Sequence, residues 1–196
     1  MSADPARCTA CRLCETRTQV VLPDGAAGGL LAVGEAPGRD EDLQGVGFVG
    51  RAGRTLDGVL LELGLHRADY ARTNVVRCRP PENRKPRRDE VQACSGWLQG
   101  AVNALQPRVI LAVGQSAAEQ LLTLPRQPYL EFVVATLQGS EPLQRYGGVS
   151  VVPMPHTSPL AWNRRRADGT ALRDIGARAA AQAVSVLAAA GAPARR

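Results

Sequence analysis

Apolar positions along the chain alternate between two patterns. Short blocks at 30–33, 72–76, 109–113 and 149–153 are rich in apolar and β-branched residues, and they read as strands. Between them the apolar positions recur at helical spacing. Leu56, Val59, Leu60 and Leu63 share one face of a helix predicted over 52–63. Val91, Cys94, Leu98, Val102 and Leu105 do the same further on, and helices are also predicted over 115–122 and 171–190. Segment 132–137 reads as a strand or an irregular stretch. Strands that are apolar throughout, separated by helices, predict an α/β fold with a parallel sheet covered on both faces. Ligands of such sheets bind beyond the carboxyl ends of the strands. The polar exits to search are therefore Gly34 to Gly38, Asn74 and the loop after it, Gly114 to Ser116, and His156 to Ser158.

Composition narrows this picture. The chain has 196 residues, is 44% hydrophobic and carries a net charge of +6. That length is enough for one core, and one domain over 1–196 is expected, with a frayed tail at 191–196. No apolar run reaches the roughly 18 residues of a membrane span, and residues 1–12 lack an apolar signal core. A cytoplasmic protein without a membrane partner is expected, and it is expected to act as a monomer. Of the 24 basic residues only Lys85 is lysine. Nine of them fall in two short segments, 77–88 and 164–166. Guanidinium groups suit bidentate contacts with phosphate, so a nucleic-acid partner is the first to consider. Solvated surface charge is the alternative.

The five cysteines are Cys8, Cys11, Cys14, Cys78 and Cys94. Cys8 and Cys11 form a CxxC, and two thiolates from a distant pair would complete four ligands for one metal centre. Zinc and an iron–sulfur cluster both accept four thiolates, and spacing does not separate them. Unrelated reduced thiols are the plainer reading, and Cys94 also fits the apolar face of its helix.

Four stretches together resemble the family 4 uracil-DNA glycosylases: CTACRLCETRTQVV, VGEAPGRDEDLQGVGFVGRAGRTLDGVL, TNVVRCRPPENRKPRRDEVQAC and VILAVGQSAAEQLL. The resemblance covers roughly residues 8 to 165. It implies a three-layer α/β/α sandwich around a four-stranded parallel sheet. It also implies a [4Fe-4S] cluster on Cys8, Cys11, Cys78 and Cys94, tying the cysteine segment at 1–25 to the core, with zinc as the alternative. Cys14 is left outside the ligand set. The implied reaction is hydrolysis of the N-glycosidic bond of uracil in single- or double-stranded DNA, releasing free uracil and leaving an abasic site.

Such chemistry needs a flat wall, an amide to read the pyrimidine edge and a donor for the leaving base. The resemblance assigns these to Phe48, Asn74 and His156, with Gly34 and Ala36 lining the pocket. Core anchor, turn residue and structural hydrogen-bonder are the plainer readings of the three side chains. Ala36 stands where the best-known superfamily members have a water-activating aspartate. Glu35 is the nearest carboxylate and the first candidate to assist catalysis beside His156 and Asn74; Glu41 is the second. Asp40, Glu41 and Asp42 also read as a solvated acidic run.

The segment HTSPLAWNRRR departs from the usual family 4 pattern. It is closer to the HPSPL segment of family 1 enzymes, in which a leucine wedges into the duplex. Leu160 is the expected wedge, with Trp162 a second choice or a core residue. Ser158, Arg79, Arg84, Arg88 and Arg164 are the expected DNA contacts. The departures leave two other functions open: a glycosylase for another deaminated base, and a non-catalytic DNA-binding repair module.

Overall fold

A computed structural model describes residues 4–191; most of the expected frayed tail at 191–196 lies outside the described residues. Its elements run in the order β1 (Leu30–Gly34), α1 (Arg39–Gln44), α2 (Arg51–Glu62), β2 (Ala71–Asn74), α3 (Arg88–Leu105), β3 (Val109–Val113), α4 (Gln115–Leu121), α5 (Tyr129–Gln138), β4 (Arg145–Tyr146), β5 (Val149–Met154), α6 (Pro159–Trp162) and α7 (Leu172–Gly191). The sheet order is β2-β1-β3-β5-β4. Strands β2, β1, β3 and β5 are parallel, and β4 pairs antiparallel with β5.

The expected four-stranded parallel sheet is thus extended to a five-stranded mixed one. The reason lies in Gly147 and Gly148. Both have positive φ, 55° and 84°, and a two-residue turn of that kind matches the twist of an antiparallel pair. It folds Arg145 and Tyr146 back onto Ser150 and Val149. Segment 132–137 is helical, neither strand nor irregular. Phe132, Val133 and Thr136 fall on one buried face of α5, which Gly139 closes in the left-handed conformation.

Alternation along the strands builds the three layers. Leu31, Val33, Ile110, Ala112 and Val151 point to one face, where Leu98 and Val102 of α3 and Ala117 and Leu121 of α4 cover them. Leu30, Ala32, Val109, Leu111 and Val152 point to the other, covered by Leu56 and Leu60 of α2 and by Ala179, Ala180 and Ala183 of α7. The small side chains of α7 let that helix lie close against β5, β3 and β1. Both faces are therefore dry, which is why these strands read as apolar throughout. No helix among the described residues is long and apolar enough to cross a membrane.

Register places the chemistry. Gly34 pairs with Asn74 at the ends of β1 and β2, and Val113 pairs with Met154 at the ends of β3 and β5. The loops carrying Glu35, Asn74, Gly114 and His156 consequently leave the sheet on the same edge.

Candidate active site

A cavity of about 390 Å³ opens at that edge. Its lining includes Gly34, Glu35, Ala36, Phe48, Asn74, His156 and Ser158, drawn from three different strand exits and the loop before α2. All the residues expected to line a pocket come together here. Asn74 is buried, and its Oδ1 lies 2.5 Å from where a Cβ on Gly34 would stand. That same point is 2.8 Å from Phe48 Cζ. Glycine at 34 is therefore what allows the amide and the ring to share one pocket wall.

Phe48 is held in an unusual backbone conformation, with φ +56°. A non-glycine residue pays about 1–3 kcal/mol for such a state, so its surroundings must enforce it. Gly53 permits it: a Cβ there would lie 1.9 Å from the Phe48 carbonyl oxygen. Only 8% of Phe48 is exposed, and the ring is continuous with the core that contains Leu56 and Leu60. The core and pocket-wall readings of Phe48 are thus compatible.

His156 is half-buried. Its Nδ1 accepts the backbone N–H of Ser158 at 3.0 Å, so the proton of the neutral ring sits on Nε2. Burial lowers its pKa below the ordinary 6.5, and the nearby Glu35 carboxylate opposes this only in part. The ring is thus a neutral N–H donor at pH 7. Gly114, with φ +91°, gives it room: a Cβ there would stand 3.0 Å from His156 Cδ2.

Of the acidic run only Asp40 is exposed. Glu41 and Asp42 are buried. Glu41 accepts from Gly38 N at 3.0 Å with one oxygen and from Gly50 N at 2.7 Å with the other, bridging the two glycine-rich rims of the cavity. Asp42 accepts the Thr18 backbone N–H with both oxygens at 3.0 Å, and Gln19 Nε2 donates to the carbonyls of Asp42 and Leu43. The cysteine-bearing segment is thereby fastened to α1. Glu35, by contrast, is half-buried, and its carboxylate has no hydrogen-bond partner among the described residues.

Three further polar side chains line the cavity that the sequence alone did not single out: Asn83, Arg39 and Arg51. Asn83 lies within CRPPEN and has φ +57°, a conformation that asparagine tolerates. Its Oδ1 accepts from Arg79 Nε at 2.7 Å. The motif contained the signal, but nothing in spacing turned Asn83 toward Gly34. Arg39 and Arg51 begin α1 and α2 and put positive charge at the mouth.

The basic residues divide into two kinds. Arg84 forks onto the buried Glu90, at 2.8 and 2.6 Å. Arg166 pairs with Glu131 and Asp168, and Arg77 is buried. Arg88 and Arg164 are exposed and have no side-chain partner among the described residues. Leu160, on α6 beside the cavity-lining Ser158, is 84% exposed, more than any other large apolar side chain among the described residues. Trp162 packs against Gly176 of α7 and belongs to the core.

Cys8, Cys11, Cys78 and Cys94 are neighbours. Cys11 packs on the core cluster containing Cys78 and Cys94, and Cys8 is near enough to act on the charge of Cys11 and Cys94. Burial pushes the Cys78 thiol up to about 11, against the Arg17 guanidinium, which donates to its Sγ at 3.3 Å. Burial likewise raises Cys11 and Cys94. Arg77 sits within electrostatic reach of Cys94, Cys8 and Cys78, and its buried Nε has no hydrogen-bond partner. Buried thiols flanked by two cations, one with an orphaned donor, fit an anionic metal–thiolate centre. Among the described residues no three His, Cys, Asp or Glu side chains are close enough to hold a single metal ion.

An α/β sheet with a pocket at its carboxyl edge defines a ligand-binding class, and comparison with known proteins makes it specific. The model of the uracil DNA glycosylase superfamily matches residues 24–178. A type-4 uracil-DNA glycosylase of Thermotoga maritima is 39% identical over 159 residues, 81% of this chain and 80% of that protein. One from Sulfurisphaera tokodaii is 33% identical over 156 residues, 79% of this chain and 70% of that protein. One from Archaeoglobus fulgidus is 44% identical over 118 residues, 60% of this chain and 59% of that protein. The chain belongs to the uracil-DNA glycosylase superfamily, on its type-4 branch.

The His156 environment sets a pH dependence. Protonation turns the ring from a neutral donor into a cation, and burial delays this to below pH 6.5. Any reaction that uses the neutral ring should run at a constant rate from pH 7 to 8 and fall only on the acid side, with a midpoint below 6.5. A pH–rate profile with an acid limb centred above pH 7 would contradict this environment.

Proposed function

We propose that this protein excises uracil from DNA as a monofunctional glycosylase, releasing free uracil and leaving an abasic site for repair. The observation that carries the reading is the convergence of Phe48, Asn74 and His156 on one cavity at the sheet edge. A base inside the duplex is out of reach, so the nucleotide must be extruded into this cavity. The Phe48 ring stacks on the uracil plane. The Asn74 amide offers both a donor and an acceptor to the pyrimidine edge.

As the glycosidic bond lengthens, negative charge builds on uracil and positive charge on the sugar. Neutral His156 donates from Nε2 to uracil O2, stabilising the departing anion without adding a full charge to the ground state. Glu35 and the more exposed Asp40 are the cavity-lining carboxylates without a hydrogen-bond partner among the described residues, and of the two Glu35 is near enough to act on the charge of His156. Glu35 stabilises the cationic sugar and orients water toward it, by the logic that governs glycoside hydrolysis. Glu41 is ruled out of this role by its own geometry, because both oxygens already hold the cavity rims. Ala36 supplies no base, so the water is oriented by Glu35 and by the backbone of the loop that follows.

Leu160 fills the stack vacated by the extruded nucleotide, and Ser158, Arg79, Arg88 and Arg164 contact phosphates. Arg84 contributes to the DNA face by ordering its loop through Glu90. Cys8, Cys11, Cys78 and Cys94 hold a [4Fe-4S] cluster. The resemblance to type-4 enzymes favours the cluster over zinc, which four thiolates would also hold. The cluster supplies structural cross-linking. Val21 N–H donates to the Arg77 carbonyl at 2.8 Å, and the Asp42 clamp carries the same segment to α1.

Incubation with an oligonucleotide carrying one uracil, followed by alkali, tests the activity. Strand cleavage at the uracil is expected, and His156→Ala should slow it by at least tenfold, about 1.4 kcal/mol of transition-state stabilisation. No cleavage on any single- or double-stranded substrate rejects the function; an unimpaired His156→Ala rejects the role of the ring. For the cofactor, protein purified without oxygen should be brown and contain iron and sulfide in equal amounts. Colourless protein carrying zinc would overturn the cluster.

A further inference from the structure

The left-handed backbone at Phe48 needs something to hold it, and the residue that does so lies outside the cavity. Arg67, in the connection between α2 and β2, donates from Nη2 to the Gly47 carbonyl at 2.6 Å and from Nη1 to the Phe48 carbonyl at 2.9 Å. Its guanidinium is aimed by Asp57 of α2, at 2.9 Å. Asp57 in turn accepts the hydroxyl of Tyr70, a fully buried side chain. Arg72 lies over the Tyr70 ring at 5.1 Å, and its Nη1 donates to the Arg67 carbonyl at 2.5 Å. Both ends of the connection are thus fixed to the base of β2.

We propose that Arg67, aimed by Asp57 and Tyr70, is the positioning residue that sets the plane of the Phe48 ring, and through it the fit of the flipped base. This rests on the uracil reading above. The fork geometry matters: one rigid planar group spreads its donors over two nitrogens to meet two successive carbonyls and a carboxylate, whereas an ammonium presents all its donors from one atom on a flexible stem. The other supports of this loop act elsewhere. Arg54 Nη1 donates to the Val49 carbonyl at 2.9 Å, and Glu41 takes the Gly50 N–H. Among the described residues only Arg67 grips the carbonyl of the strained residue itself, where rotation of the peptide would swing the ring.

A double-mutant cycle separates positioning from general stabilisation. Arg67→Met should slow single-turnover uracil excision about tenfold, and raise about tenfold the free uracil concentration that halves the rate. In a Phe48→Leu background the same substitution should change either quantity by less than twofold, because no ring remains to be positioned. Equal losses in both backgrounds, or a wild-type rate for Arg67→Met, overturn the proposal. Should Arg67→Met fail to fold, Asp57→Asn, which keeps the shape but releases the guanidinium, gives the same comparison. Amide hydrogen exchange at residues 47–50 is a readout that needs no activity. Faster exchange in the variant supports the proposal and unchanged exchange overturns it, even if the wild-type protein leaves uracil DNA intact and the function itself fails.

Discussion

The whole site depends on a position with no side chain. Strand β1 ends at Gly34, in register with Asn74, and a Cβ at Gly34 would meet the Asn74 amide at 2.5 Å and the Phe48 ring at 2.8 Å. Parallel pairing of β1 with β2 fixes where Asn74 stands. The missing side chain lets Phe48 close over it. Two further glycines extend the same economy: Gly53 accommodates the Phe48 carbonyl, and Gly114 accommodates His156. The cavity is bounded by backbone that comes too close for a Cβ, and three functional side chains fill the space so vacated.

This arrangement explains why the surrounding polar groups are spent on holding loops. Glu41 ties the rim at Gly38 to the rim at Gly50. Arg67 grips the carbonyls of Gly47 and Phe48. Asp42 fastens the cysteine segment to α1. These groups are buried or half-buried, where a satisfied hydrogen bond is worth most and a broken one costs most. A rigid pocket follows, suited to recognising a small planar base by shape and edge. The proposed cysteine centre would belong to the same scheme, tying the segment that Asp42 holds to Cys78 and Cys94 of the core.

The sheet and its helices were legible because both faces are buried: the apolar runs of β1, β3 and β5 and the helical spacing of α2 and α3 left little choice. Two features escaped. The Phe132 to Leu137 run is β-branched and aromatic enough to pass for a strand, and only its one-sided burial makes it a helix. Strand β4 is two residues long and exists because of a glycine turn. At the site, Asn74, His156 and Phe48 were legible from motif and position at strand exits. The roles of Glu41, Asp42, Arg67 and Asn83 were not, because each depends on a contact between residues far apart in the chain or on a left-handed backbone that spacing does not reveal. Charge counting misled in the other direction. Arg77, Arg84 and Arg166 belong to the basic segments but are buried or paired, whereas Arg87, Arg88 and Arg164 are exposed without a side-chain partner among the described residues.

Every proposed role in the site depends on how the cavity receives uracil. The most direct measurement is a crystal structure of the protein with free uracil. It should show the ring stacked on Phe48, its edge on the Asn74 amide and its O2 within hydrogen-bond distance of His156 Nε2. Uracil bound elsewhere, or lying in the cavity without contact to Asn74 and His156, would contradict the central claim.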